Sequence, residues 1–217
     1  MERGGAFVTI MIDRIRWLGH GSFVIQGPPL IYINPWRVVR DVFLPDVILI
    51  GHDHYAHCSP ADIQKLRSAA TLVFANESVA QEIEGCAVLR PWQSITVDRA
   101  RITGIPAYSP HDPRHPVSAG GLGFLISLNL YDIYYAGDTQ KIPEMERIRP
   151  DIAILPIDGN GTLTIAEAVE VVQAMRPRWV FPSNWGGSGD TATPLDAQAF
   201  KTAVGLLAQV ILPPTGR

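Results

Sequence analysis

Short apolar runs punctuated by turn residues dominate the first half of the chain. Residues 15–18, 22–25, 30–33, 47–50 and 71–74 are apolar-rich, and each run is bounded by Gly, Pro, Asn or Asp, which predicts β-strands between turns. Two of them, 47–50 and 71–74, are continuously apolar and separated by a helix-like stretch, as expected of strands covered on both faces. That stretch opens with Ser59 as a helix cap and Pro60 at the first helical position, a favourable start for a helix. The second half repeats the theme, with strands predicted near 101–105, 122–128, 131–135, 152–156 and 179–182. Thr164 and Glu167 form a capping box, and Ile165, Ala168, Val169, Val172 and Met175 then fall on one helical face. A last helix is predicted from Thr193 and Pro194 to about Gln209.

Strands followed by helices, twice over, predict two sheets packed face to face with helices outside: an α/β chain folded as a four-layer α/β/β/α sandwich. No repeat, linker or low-complexity segment divides it, so residues 1–217 read as one domain. Residues 1–10 are expected to be an N-terminal extension outside the fold, because the clear strand pattern begins only at Ile15 and Met11 could itself be a start. The apolar run at 6–12 is too short for a membrane span and lacks a cleavage site.

Composition narrows the function classes. The 217 residues are 47% hydrophobic and 18% charged, with 19 glycines and 18 prolines, which fits a globular chain with many turns and excludes coiled coil, collagen and disorder. The net charge of −3 contains no long run of either sign, so no nucleic-acid or membrane footprint is expected. Cys58 and Cys86 are the two cysteines, too few for a disulfide framework, and a cytoplasmic location is expected.

The strongest chemical signal is Gly51-His-Asp-His-Tyr-Ala-His57. Three of the six histidines lie here, directly after the strand ending at Ile50, where a loop can aim them at one point. Neutral imidazoles at this density suit zinc, iron or manganese; the plain alternative is a solvated polar loop. The second signal is Ala136-Gly-Asp-Thr139, again directly after a strand, where Asp138 is placed as a carboxylate ligand.

Taken in series, Trp17-Leu-Gly-His-Gly-Ser-Phe23, Ile33-Asn-Pro-Trp36, the 52–57 cluster, Ile105-Pro-Ala-Tyr108 with His115-Pro116 downstream, Tyr135-Ala-Gly-Asp-Thr139, Ile154-Leu-Pro-Ile157 and Phe181-Pro-Ser-Asn184 resemble the metallo-β-lactamase superfamily. The resemblance is to its branch of small cytoplasmic metal-dependent hydrolases, which includes ascorbate-phosphate lactonases. It implies a first metal site of His52, His54 and His115, with Asp138 bridging to a second site that includes His57. Asp138 and His57 are the implied catalytic residues. His111 rivals His115 on the same Pro-rich loop.

The second site departs from the family pattern. Ala56 stands where the family has Asp, Asn184 where it has His, and Asn34 where it has an Asp that would orient a ligand histidine. The expectation is therefore one divalent transition metal, zinc first, with manganese or iron as alternatives. Two functions stay open. One is a hydrolase acting on an ester, lactone or phosphoester through a metal-bound hydroxide, with a degenerate second site. The other is a catalytically impaired homologue that binds a small molecule or protein partner in the same cleft. Asn184, Trp36 and Tyr108 are assigned to the substrate pocket, with loop packing as the alternative for the two aromatics and for Trp185. His20 and Cys58 have plain readings as a turn histidine and a buried thiol. Gly186-Gly-Ser-Gly-Asp190 reads as a flexible lip. The expected partner is a small-molecule substrate or ligand, not nucleic acid or membrane, with a homo-oligomer left open.

Overall fold

The computed structural model describes residues 10–39, 43–187 and 189–213. Among these, one sheet is built in sequential order from β1 (Ile15–Gly19), β2 (Ser22–Ile25), β3 (Ile31–Ile33), β4 (Val47–Ile50), β5 (Leu72–Ala75) and β6 (Ala87–Val88). The second holds β7 (Ser94–Val97), β8 (Ala100–Pro106), β9 (Leu122–Leu128), β10 (Tyr131–Tyr135), β11 (Ile152–Pro156), β12 (Trp179–Ser183) and β13 (Gln209–Val210), also in sequential order. Each sheet begins with antiparallel hairpins and ends with parallel strands. The helices are α1 (Pro60–Leu66), α2 (Glu77–Glu82), α3 (Ile165–Met175) and α4 (Pro194–Val204). None is long and apolar enough to cross a membrane.

Side-chain alternation creates the four layers. Val47 and Leu49 of β4 join Phe23, Ile33, Phe124, Ile133, Ile154 and Phe181 in the core between the sheets. Ile48 and Ile50 point the other way, into a layer with Ile63 and Leu66 of α1 and Val79 of α2. In β11, Ile152 and Ile154 face the inner core, while Ala153 and Leu155 pack under Ala168, Val171, Val172 and Met175 of α3 and Phe200 of α4. A strand buried on both faces needs apolar residues at every position, which accounts for the unbroken runs.

The predicted caps form as read. Ser59 accepts from the Asp62 N–H, and Thr164 and Glu167 close a capping box. The structure differs from the sequence reading at several elements, the unpredicted strand β7 among them. The last helix stops at Val204, because Gly205 adopts φ 55°, and Gln209–Val210 instead pairs beside β12. Helix α2, capped by Asn76, and the two-residue strands β6 and β13 are too short to leave a periodic signal. Val171, absent from the predicted α3 face, is buried. The expected extension lies outside the described residues except for Ile10. Met11 is buried in the inner core.

Candidate metal centre

Strand ends build the site. The loop after β4 carries His52, His54 and His57. The loop after β8 brings His115, Asp138 follows β10, Asn34 follows β3, and Asn184 follows β12. Gly137, at φ 72°, turns the chain where a Cβ would lie 2.8 Å from the Leu122 carbonyl oxygen, so a larger residue before Asp138 would be strained.

His52, His54, His115 and Asp138 each place one ligand atom within 4.8 Å of the others. Asp138 Oδ2 faces His52 Nε2 at 3.4 Å, His57 Nε2 at 3.3 Å and His115 Nε2 at 3.5 Å. The other oxygen, Oδ1, accepts a 2.9 Å hydrogen bond from the Asn184 side-chain amide. His115 Nε2 lies 3.3 Å from His54 Nδ1, and its own Nδ1 is 3.0 Å from the Gly161 carbonyl. A carbonyl only accepts, so Nδ1 carries a proton, and in the neutral ring Nε2 presents its lone pair to the cluster. Among the described residues, His52 Nε2 and Asn184 Oδ1 are buried without a hydrogen-bond partner, although buried polar atoms are ordinarily satisfied. Three imidazoles and a carboxylate are a donor set for zinc, iron or manganese. The orphaned His52 nitrogen and the lone pair of His115 fit such an ion.

Burial opposes the charge on Asp138, but the attraction of His57 and contacts from His115 and His52 outweigh it and hold its carboxyl well below the usual range. Burial pushes His57 well below an ordinary imidazole despite Asp138. Burial, with His52 and His115 nearby, also lowers His54. His115 is raised: burial works against its charge, and the bond and attraction to Asp138 prevail.

The structure separates the two loop histidines. His115 is buried in the cluster, whereas His111 is exposed and its backbone N–H donates to Gln140 Oε1. Ala56 is half-buried and offers no donor. Trp36 is buried with its ring 5.7 Å from His20 and 6.4 Å from Tyr55. The Tyr108 hydroxyl donates to Glu144. Trp185 stacks on Trp17, and Cys58 is buried and unbonded. The cleft beside the cluster is lined by His52, His54, Arg114, His115, Leu122 and Asp138, among others.

Two residues gain roles that their sequence context does not signal. Asp190, within the stretch read as a lip, has a side chain only 3% exposed and lies 2.6 Å from His20 Nδ1. His20 Nε2 in turn lies 3.0 Å from His57 Nε2. Arg114 reaches the cleft while paired with Asp112. The Asp190 approach depends on a loop returning from 170 residues away, whereas Arg114 is carried in by its neighbour His115.

Paired twisted sheets with a histidine and aspartate cluster at their strand ends define a metallo-β-lactamase-type scaffold. Residues 14–184 match the β-lactamase superfamily domain, and the chain belongs to that family. It is 30% identical over 219 residues to a UPF0173 metal-dependent hydrolase of Pyrococcus abyssi, covering 92% of this chain and 95% of the relative. Among solved structures, the metallo hydrolase Igni18 of Ignicoccus hospitalis superposes with a TM-score of 0.76 at 24% identity, covering 94% of this chain and 95% of that one. The metallo-β-lactamase fold protein YhfI of Bacillus subtilis gives 0.69 at 11% identity, covering 92% and 91%. These two likenesses concern the fold.

Proposed function

We propose that the protein is a metal-dependent hydrolase acting on an ester, lactone or phosphoester with one divalent transition metal, zinc first. His52, His54, His115 and Asp138 would hold it. The observation that carries this reading is the convergence of four donor atoms within 4.8 Å, reinforced by the Gly161 carbonyl that frees His115 Nε2 for coordination. A bound divalent cation supplies Lewis-acid polarisation of the scissile carbonyl or phosphoryl group and lowers the pKa of water.

The protein's own groups orient the reactants around it. Asn184 pins Asp138 Oδ1 and leaves its own Oδ1, buried and unpartnered, to accept a hydrogen bond from substrate or water. Ionised Asp138 turns Oδ2 toward the histidines. Arg114, on the wall of the cleft, offers a positive charge to an anionic leaving group. The missing carboxylate at Ala56 and the amide at Asn184 favour a second reading, a degenerate second site in a protein that retains the cleft for binding. The free Cys58 and Cys86 thiols agree with a cytoplasmic setting.

Elemental analysis of protein purified without added metal or chelator, paired with assays on ester, lactone and phosphodiester panels, tests the proposal. One transition metal per chain with hydrolysis that chelation abolishes is expected. Two fully occupied metals bridged by Asp138 would refute the one-metal reading, and one metal without hydrolysis of any panel member would transfer the protein to the binding reading.

A further inference from the structure

The amides at positions 34 and 184 do more than omit an orienting carboxylate and a ligand for a second ion. Asn34 is completely buried, and its orientation is fixed by the Gly51 N–H, which donates to Oδ1 at 2.9 Å. Its Nδ2 therefore faces His57 Nδ1 and the Tyr135 hydroxyl oxygen, each at 2.9 Å. The Tyr135 hydroxyl passes its own proton to the Gly21 carbonyl at 2.9 Å, so it accepts from Asn34. An amide nitrogen donates and has no lone pair to offer. His57 Nδ1 must then be the acceptor, and the ring proton sits on Nε2.

That nitrogen points toward the place a second ion would take, between Asp138 Oδ2 at 3.3 Å and His20 Nε2 at 3.0 Å. His20 can accept there, because its Nδ1–H donates to Asp190 at 2.6 Å. Asp190 is itself held by the Gly187 N–H at 2.7 Å. Donation thus runs one way, from Asn34 to His57 to His20 to Asp190. On the other side Asn184 donates to Asp138 Oδ1, the carboxylate oxygen turned away from the histidines. His115 shows the opposite arrangement: a carbonyl against Nδ1 leaves Nε2 free to coordinate.

We infer that Asn34 and Asn184 close the second-metal position with amide donors, and that Asn34 fixes His57 as an Nε2–H hydrogen-bond donor rather than a metal ligand. This deepens the one-metal reading and rests on it. Coordination by His57 Nε2 would require its proton to move to Nδ1, where two N–H groups would confront each other inside a buried site. A carboxylate at position 34 would accept from Nδ1–H and the Gly51 N–H together and reverse the tautomer. Restoring ligands at 56 and 184 is therefore insufficient while Asn34 remains.

Long-range proton–nitrogen NMR of the metal-free, 15N-labelled full chain reads the tautomer directly, with the His57 signals assigned by their loss in His57→Gln. The expected result is a proton on Nε2; a proton on Nδ1 overturns the inference. Zinc equivalents retained at equilibrium dialysis are then compared for Ala56→Asp/Asn184→His with and without Asn34→Asp. The triple variant should hold its second zinc at least about tenfold more tightly, the lower end of the effect of a residue that orients a ligand histidine. Equal affinities overturn the inference. If the substitutions prevent folding, the wild-type tautomer still decides. Wild type that binds no zinc would sink the one-metal reading, whereas the tautomer of the metal-free protein is read independently of it.

Discussion

His115→Ala isolates the choice between the two loop histidines. His115 Nε2 sits within ligand reach of Asp138 and His54, and the ring is buried, so alanine removes a donor that nearby water cannot replace in the same orientation. Removing a group that only orients a ligand costs about 10–100-fold in metal affinity. The upper end, about 100-fold or ~2.7 kcal/mol, is a reasonable scale for the ligand itself. At a zinc concentration about 100 times the wild-type Kd, metal stabilises the fold by ~2.7 kcal/mol, and after a 100-fold loss by only ~0.4 kcal/mol. For a domain of this size each kcal/mol moves Tm by about 2–4 °C. The zinc-induced rise should therefore fall from about 5–11 °C to about 1–2 °C, measured by thermal melts with and without zinc after chelator removal. His111→Ala should keep the full rise, because its ring is exposed and its hydrogen bond to Gln140 comes from the backbone. Equal rises in wild type and His115→Ala would refute the ligand assignment. Equal losses in both variants would show that order in the loop, rather than the His115 nitrogen, carries binding.

Zinc affinity should weaken as pH falls, because the imidazoles coordinate only when neutral. Burial disfavours charge on His115 but Asp138 prevails and raises its pKa, so protons compete from a higher pH than at an ordinary imidazole; isothermal titrations giving a flat affinity between about pH 6 and pH 8 would contradict this. Gly21→Ala should destabilise by about 1–3 kcal/mol through overpacking, since a Cβ there would lie 2.5 Å from His57 Cε1 and 3.0 Å from the Tyr135 hydroxyl; an unchanged urea midpoint would argue against that packing. Thr164→Ala should lower stability by about 1 kcal/mol through loss of the α3 capping box, read as a lower urea midpoint at constant m-value, while leaving zinc affinity unchanged.

Features that depend on neighbours in sequence were legible in the chain. The run at 47–50 declared a strand covered on both faces, Ser59 and Thr164 declared helix starts, and Gly137 before Asp138 declared a turn presenting a carboxylate. Each follows from local sterics, hydrogen bonding or alternation, and the two-sheet architecture follows from their order. The 52–57 cluster announced metal chemistry because its histidines share one short loop. The choice of His115 over His111 was a matter of the loop's return path, where the Ser109 N–H bonds the His115 carbonyl at 2.7 Å and Gly161 arrives from 46 residues away to fix the ring. Asp190 looked like part of a mobile lip until the fold carried it to His20, 170 residues distant. The direction of the Asn34 amide was likewise a tertiary matter. An asparagine can donate or accept, and only the Gly51 N–H, brought alongside by the pairing of β3 with β4, decides which atom faces His57 and hence where that histidine keeps its proton.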